Sequence, residues 1–548
     1  MTGGSALGTD GAPAPLTRRA LVLLVALLAG HALLAYHTRA RGIFTFGDDA
    51  AYILLSRALR ALSYREVQFI GEPIGARFPP GYPSLLAVAG VFGEHFRVMA
   101  AVGIAISVSA LYALFDVIRR RWSGELALLV TAVVATNPGM VANAGAIASE
   151  GMFTALVLWS LWAADRTDHG ERRRLFAGTA AILGAMTRTA GVTVPLAVGA
   201  HWLLRRRFRD VAVLALASAV TVGAWLAWTT FAPRREFRRS YIDDAVMVQA
   251  GHETSPLSTL AQRVARNTLT YVGQALPTEL SLPLTSATRF DNIAWVALVV
   301  ALALIGLVSA WRRWNAAVIW MVGYATLLVI WAYTIERFLQ PLMPLVIAFA
   351  LIGAWSVGTR WRRVQSRAAA LPALAVAALL AGFGLLGSTR LSAQAAACDL
   401  GRTDCAPAES LDYVDASIYA ATHTPRDARF VAPKNATLYY FAPRQSVFWD
   451  EVIVQDSASF LPFLERNRVT HLLLTPIYSD QLTLARLALA HCTQFDLLVA
   501  LSPETLILAR RGVPTDTNTA ACRAAARATA RAATRPGVDD EISFRSEP

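Results

Sequence analysis

Two adjacent carboxylates, Asp48 and Asp49, open the run Asp48-Asp49-Ala50-Ala51-Tyr52 and lead into apolar residues at helical spacing. A carboxylate held where polar and apolar surroundings meet can take a proton from an attacking hydroxyl. Neighbouring carboxylates repel, which splits their pKa values and lets them take different roles. The plain alternative is a helix N-cap, whose Asp side chain accepts backbone N–H bonds. Further on, Arg77-Phe78-Pro79-Pro80-Gly81-Tyr82-Pro83 sets three prolines within five residues. Each proline fixes its own backbone, so the segment predicts a stiff turn. It is either the ordinary start of a helix or a ligand wall that carries Arg77 and Tyr82.

Glu150, Arg188 and Arg337 lie where apolar runs meet. The planar fork of arginine matches a phosphate group. Its plain alternative is snorkelling toward lipid headgroups, and Glu150 could simply pair with one of these cations. Asp243-Asp244 follows Arg234, Arg235, Arg238 and Arg239 and reads as a solvated charge run. Asp48 and Asp49 could also hold a divalent cation through oxygen ligands. Arginine can hold phosphate without one, so the residues leave the cofactor open between a metal ion and none.

The elements that must position these groups are membrane helices. Of 548 residues, 55% are hydrophobic and 16% charged, and mean hydropathy is +0.43. That composition describes a polytopic α-helical membrane protein with some soluble mass. Apolar runs long enough to cross a bilayer number about eleven. The first, near residues 20–37, lacks a small-residue cleavage site and reads as a retained span rather than a signal peptide. Basic clusters alternate with the runs: Arg18-Arg19, Arg119–Arg121, Arg172–Arg174, Arg205–Arg207, Arg312-Arg313 and Arg360/Arg362/Arg363. Arginine-rich short loops stay cytoplasmic. This explains the net charge of +13 without nucleic acid, and it sends Asp48, Arg77, Glu150, Arg188 and Arg337 to the opposite face.

The expected organisation is a disordered cytoplasmic segment, 1–19, and a transmembrane domain, 20–388, with outer loops 38–96 and 233–291. A soluble α/β domain, 389–514, and a flexible tail, 515–548, follow. Within the first loop, Asp49 to Leu62 predicts an amphipathic helix lying on the membrane. Ser84 to Phe92 is too short to span. In the soluble domain, Arg429–Val431, Thr470–Leu474 and Leu506–Leu508 read as strands, and Phe460–Arg466 and Leu482–Ala490 as helices. All four cysteines, Cys398, Cys405, Cys492 and Cys522, follow the last span. An outer location permits disulfides. Four cysteines allow three connectivities, and proximity favours Cys398–Cys405 with Cys492–Cys522. Free thiols are the alternative, and a zinc site lacks the C-x-x-C pair it needs.

Together these residues resemble the GT-C glycosyltransferases, in particular bacterial relatives of protein O-mannosyltransferases and of lipid A aminoarabinose transferase. Asp48-Asp49-Ala-Ala-Tyr52 is similar to the family's Asp-acidic-x-x-Tyr motif, with Asp49 where the family usually has Glu. The Arg77–Pro83 turn is similar to its proline motif. Ser149-Glu150, Thr187-Arg188 and Arg337-Phe-Leu-x-Pro-Leu-x-Pro344 fit its later pattern, over about residues 20–390. The resemblance implies an inverting transfer of a sugar from a polyprenyl-phosphate donor to a lipid, glycan or protein hydroxyl. It places the site at the periplasmic face of a bacterial inner membrane. Asp48 is then the candidate base beside Asp49, with Tyr52, Arg77, Tyr82, Glu150, Arg188 and Arg337 at the donor phosphate or substrate. Physical chemistry agrees: nucleotide sugars are absent outside, and a phosphate leaving group needs cationic stabilisation more than a general acid.

A transporter or flippase would place polar groups near the bilayer midplane within repeated halves, and no repeat is visible. A receptor or assembly protein would not need so many spans as an anchor. Topology is directly testable. Alkaline phosphatase fused after Ala396 is expected to be active. A silent fusion, with an active cytoplasmic reporter at the same point, would reverse the assigned sidedness.

Overall fold

The computed structural model describes residues 16–43, 48–75, 77–164, 170–231, 256–280, 289–331, 334–361, 370–397, 408–453, 455–477, 481–511 and 519–534. Asp243, Asp244, Cys398 and Cys405 lie outside them. The first nine helices are α1 (Arg18–His37), α2 (Asp49–Arg60), α3 (Gly81–Ala89), α4 (Phe96–Arg121), α5 (Gly124–Thr136), α6 (Pro138–Gly145), α7 (Ser149–Ala164), α8 (Glu171–Thr187) and α9 (Thr193–Leu204). Side-chain caps start α1, α5 and α6, where Thr17, Ser123 and Asn137 each accept a backbone N–H.

Among the described residues, six helices are long and apolar enough to cross a membrane: α1, α4, Phe208–Phe231, Ile293–Ala310, Glu336–Arg360 and Leu371–Ala397. The chain is a membrane protein. The pair α5 and α6 bends by 64° at Pro138 and raises the number of candidate spans to seven. Several of the other expected spans fall on shorter helices. At 1.5 Å per residue, the 16-residue α7 and the 12-residue α9 reach only about 24 and 18 Å. Both are shorter than a hydrocarbon core of ~30 Å.

The bundle core is dense with small side chains. Gly306 and Gly353 face each other where Arg289–Ala310 crosses Met343–Trp361. A Cβ at Gly306 would strike the Phe349 carbonyl, and one at Gly353 the Leu302 carbonyl. Such residues let membrane helices approach closely. Four of the basic clusters gather at one end of the bundle. Arg313 Nη1 donates to the Arg121 carbonyl at 3.3 Å. Asp210 joins Arg174 to Arg207, and His201 Nδ1 meets Asn315 Oδ1 at 2.6 Å.

At the other end, the segment between α1 and α4 meets the C-terminal part of the chain. There a four-stranded mixed sheet runs in the order β1-β2-β4-β3, comprising β1 (Phe430–Val431), β2 (His471–Leu474), β3 (Phe495–Ala500) and β4 (Leu506–Arg510). The three expected strands and both expected helices are present. Strand β3 was not foreseen. It is a half-exposed edge strand with Asp496 inside it, so its apolar pattern is diluted. The expected flexible tail needs correction: Ala520–Thr534 is a helix. It buries Ala521, Ala524, Ala525 and Ala528 and is tied by a Cys492–Cys522 disulfide, the pairing that proximity favoured. Helix α2 forms as expected and is largely covered by protein. Ala50 to Ser56 and Ala58 are all buried, against α3 and the helix Asn435–Phe441.

Replacing Gly353 with valine should force the two helices apart. Overpacking of this kind costs ~1–3 kcal/mol. A lower thermal midpoint of the purified protein is expected, with the same loss for Gly306→Val. Unchanged melting would mean that the close crossing is not needed.

Candidate active site

Six of the residues singled out in the sequence converge where α2, α7, the α8–α9 turn and the segment Glu336–Leu342 meet. Arg337 Nη2 donates to Asp48 Oδ2 at 2.5 Å, and its Nε lies 3.6 Å from Glu150 Oε1. Glu150 pairs in turn with Arg188. Arg188 Nη1 also donates to Ser149 Oγ at 3.0 Å, and Ser149 shares a 3.0 Å hydrogen bond with the Tyr52 hydroxyl. The result is one polar chain from Asp48 to Tyr52. Side-chain exposure is 18% for Asp48, 13% for Arg337, 14% for Arg188 and 2% for Glu150. Buried charges survive only when paired, and here each has an opposite charge within reach.

Local structure explains the convergence. Asp48 does not cap α2 with its side chain, so its carboxylate is left for Arg337. Asp49 is 1% exposed, and its Oδ1 accepts from the Ala50 N–H at 2.8 Å. The two carboxylates are thus separated: Asp48 faces the cations, and Asp49 is built into the helix start. The proline turn ends at Pro80, immediately before α3. Gly81 is required there, because a Cβ would lie 2.6 Å from the Met186 carbonyl and 3.1 Å from the Thr187 nitrogen. Close approach of α3 thereby supports the turn that carries Arg188. Tyr82 is buried. Its ring meets Tyr52 edge-on, centroids 4.9 Å apart. Arg77 is exposed, with its guanidinium 5.8 Å from the Phe78 ring centroid. Phe338, next to Arg337, lies beneath the Arg188 guanidinium at 5.1 Å, an arrangement in which a cation meets a ring face.

Three groups outside the sequence-level set also belong here. The Tyr324 hydroxyl donates to the Phe338 carbonyl at 2.9 Å and so holds the Arg337 segment. Glu279 lies under that segment, bonded to Gln340, and burial pushes its carboxyl up to about 8. It therefore stays neutral near pH 7 and adds no negative charge. Lys434, from the C-terminal domain, acts on Asp48. Its signal was available in the sequence, as the sole lysine of the chain. Burial alone would push the Asp48 carboxyl up, but Arg337, Arg77 and Lys434 together outweigh it and hold it below the ordinary carboxylate range. Among the described residues, no group of three or more His, Cys, Asp or Glu is placed to share a metal ion.

By sequence, the chain matches no protein-family profile and no curated protein. By structure it is similar to ArnT from Cupriavidus metallidurans bound to undecaprenyl phosphate. The TM-score is 0.55 and the identity 13%, covering 90% of this chain and 98% of that one. It is also similar to the archaeal oligosaccharyltransferase AglB from Archaeoglobus fulgidus in complex with an inhibitory peptide and a dolichol-phosphate. There the TM-score is 0.54 and the identity 13%, covering 93% and 78%. This chain has the GT-C fold. In that fold the paired charges occupy the end of the bundle away from the basic clusters, beside the C-terminal sheet.

The carboxyl of Asp48 offers a direct check. In the wild type it should remain ionised at pH ~5, above its lowered pKa. In Arg337→Gln the strongest counterion is gone while burial persists, so the pKa should rise. A protonated-carboxyl infrared band at that pH, removed by the further change Asp48→Asn, is expected only in the variant. The same band in the wild type would contradict the pairing.

Proposed function

We propose that this chain is a membrane glycosyltransferase. It moves a sugar from a polyprenyl-phosphate donor to a hydroxyl acceptor, with inversion, at the outer face of the membrane. The observation that carries this reading is the Asp48–Arg337–Glu150–Arg188 array at one end of a GT-C helix bundle. ArnT was solved with undecaprenyl phosphate and AglB with a dolichol-phosphate, which supports a lipid-linked phosphate here. The array also speaks against a transporter, whose ionisable groups belong near the midplane. Its members sit at the starts and ends of helices.

In this reading the donor phosphate binds between Arg188 and Arg337 and competes with Asp48 for Arg337. Once Arg337 turns to phosphate, Asp48 loses its nearest countercharge while staying buried, and its affinity for a proton rises. Asp48 then accepts the proton of the acceptor hydroxyl as that oxygen bonds to the anomeric carbon. The bond from that carbon to the phosphate oxygen breaks, and the electron pair leaves with the polyprenyl phosphate. Its charge grows from one negative to two, which the arginines stabilise. The base is thus competent only when the donor is in place. Asp49 and Glu150 hold the frame, Tyr52 and Tyr82 form the wall beside it, and Arg77 stands at the entrance.

Asp48→Asn keeps shape and removes proton acceptance, so transfer should fall by ~10²–10⁴-fold with donor binding retained. Asp49→Asn should cost less. Arg188→Lys and Arg337→Lys keep charge but lose the fork, and undecaprenyl phosphate should bind each about 10–100-fold more weakly. Near-normal turnover in Asp48→Asn would remove it as the base. Unchanged affinity in both lysine variants would leave the arginines as snorkelling residues.

A further inference from the structure

Of the 51 Lys and Arg residues in this chain, one is lysine. Lys434 lies in the C-terminal domain and is 7% exposed, although lysine is almost never buried unless it is paired. Its backbone is pinned, the carbonyl accepting from the Tyr413 hydroxyl at 2.9 Å and from the Leu438 N–H at 3.0 Å. The next residue, Asn435, donates to the Ala432 carbonyl, Ser446 Oγ and the Val447 carbonyl at 2.6–2.9 Å. The helix Asn435–Phe441 packs on α2. Its Tyr440 joins the cluster of Tyr52, Ile53 and Tyr82, under the Arg57 guanidinium. The outer loop closes the arrangement from the other side. Ser446 N donates to the Gln68 carbonyl at 3.0 Å, and Ile70 N to the Ser446 carbonyl at 3.1 Å, with Phe69 stacked on Phe448. A rigid piece of the C-terminal domain therefore sets Lys434 beside α2, close enough for its charge to act on Asp48 together with Arg337 and Arg77.

Charge balance shows what that group is for. Asp48, Asp49 and Glu150 present three carboxylates against the guanidinium groups of Arg188 and Arg337, and Glu279 is neutral. On those residues alone the site is net negative and would repel a phosphate whose charge grows during transfer. Lys434 and Arg77 reverse the sign. Arg77 has the larger effect of the two on Asp48 but is exposed to solvent, whereas Lys434 is buried, where a charge is less screened. A compact ammonium suits a point contact with a phosphate oxygen.

We infer that Lys434 is a donor-phosphate ligand supplied by the C-terminal domain, so that the phosphate site is complete only when that domain is docked. The inference rests on the polyprenyl-phosphate reading above.

A single lysine makes the test direct, because an amine-selective reagent can acylate only Lys434 and the N-terminus. The full-length protein in nanodiscs would be treated with an N-hydroxysuccinimide ester and the Lys434 peptide followed by mass spectrometry. Undecaprenyl phosphate should slow acylation by about tenfold or more, the occupancy effect of a saturating ligand. Undecaprenol, inorganic phosphate and phosphatidylglycerol at equal concentration should not. Lys434→Gln should bind undecaprenyl phosphate about 10–100-fold more weakly, with undecaprenol binding unchanged, and Lys434→Arg should restore part of the loss. Equal protection by phosphatidylglycerol would assign Lys434 to bulk headgroups and overturn the inference. So would a Lys434→Gln protein that melts lower but binds the phosphorylated lipid normally, since that is a docking role alone. If Arg188→Lys and Arg337→Lys lose affinity while Lys434 is neither protected nor needed, only this inference fails. If those arginine variants also bind normally, the phosphate reading fails with it.

Discussion

A charge at the mouth of an apolar helix bundle must find a countercharge, and Arg337 reaches two, Asp48 at 2.5 Å and Glu150 at 3.6 Å. The rest of that end of the bundle is arranged around the guanidinium. Its segment is a 3-10 turn, Glu336–Leu342, pinned by Tyr324 and running into a helix whose glycine crossing brings it close to its neighbour. Glu150 begins α7 and is shared with Arg188, and Arg188 is held in place by the approach of α3 at Gly81. Removing one member of such a network leaves an uncompensated buried charge, which costs more than the pair contributes. The array is therefore poorly explained as a stability device. It fits a site kept ready for an anionic ligand that can take over one of the pairings.

The C-terminal domain packs against that site. The backbone link from Gln68 and Ile70 to Ser446 and the stacked Phe69–Phe448 pair join the segment between α1 and α4 to the C-terminal domain. The helix Asn435–Phe441 then lies on α2. A soluble domain attached only by its linker would be free to move. Attached this way, it fixes the position of Lys434 and covers the tyrosine wall of Tyr52 and Tyr82.

Much of this was legible from residue types and spacing. The Arg clusters marked one end of the bundle, and the ionisable residues between the apolar runs marked the other, because membrane insertion imposes that pattern on short loops. Asp48, Glu150, Arg188 and Arg337 could be listed together, but their pairing could not, since Asp48 and Arg337 are 289 positions apart. Span number was less legible, because apolar composition does not report where a helix bends or ends, as it does between α5 and α6. Helix Ala520–Thr534 was missed because its buried face is made of alanine, which carries little hydrophobic signal. Lys434 stood out in composition, yet only the packing of its helix on α2 gave that fact a meaning.

The most direct test is a structure of the full chain with undecaprenyl phosphate bound. The expected density places the phosphate within hydrogen-bond distance of Arg337 and Arg188, with the Arg337–Asp48 bond opened to more than about 3.5 Å, beyond direct hydrogen bonding. A phosphate bound elsewhere while Arg337 still holds Asp48 would contradict the exchange on which the mechanism depends.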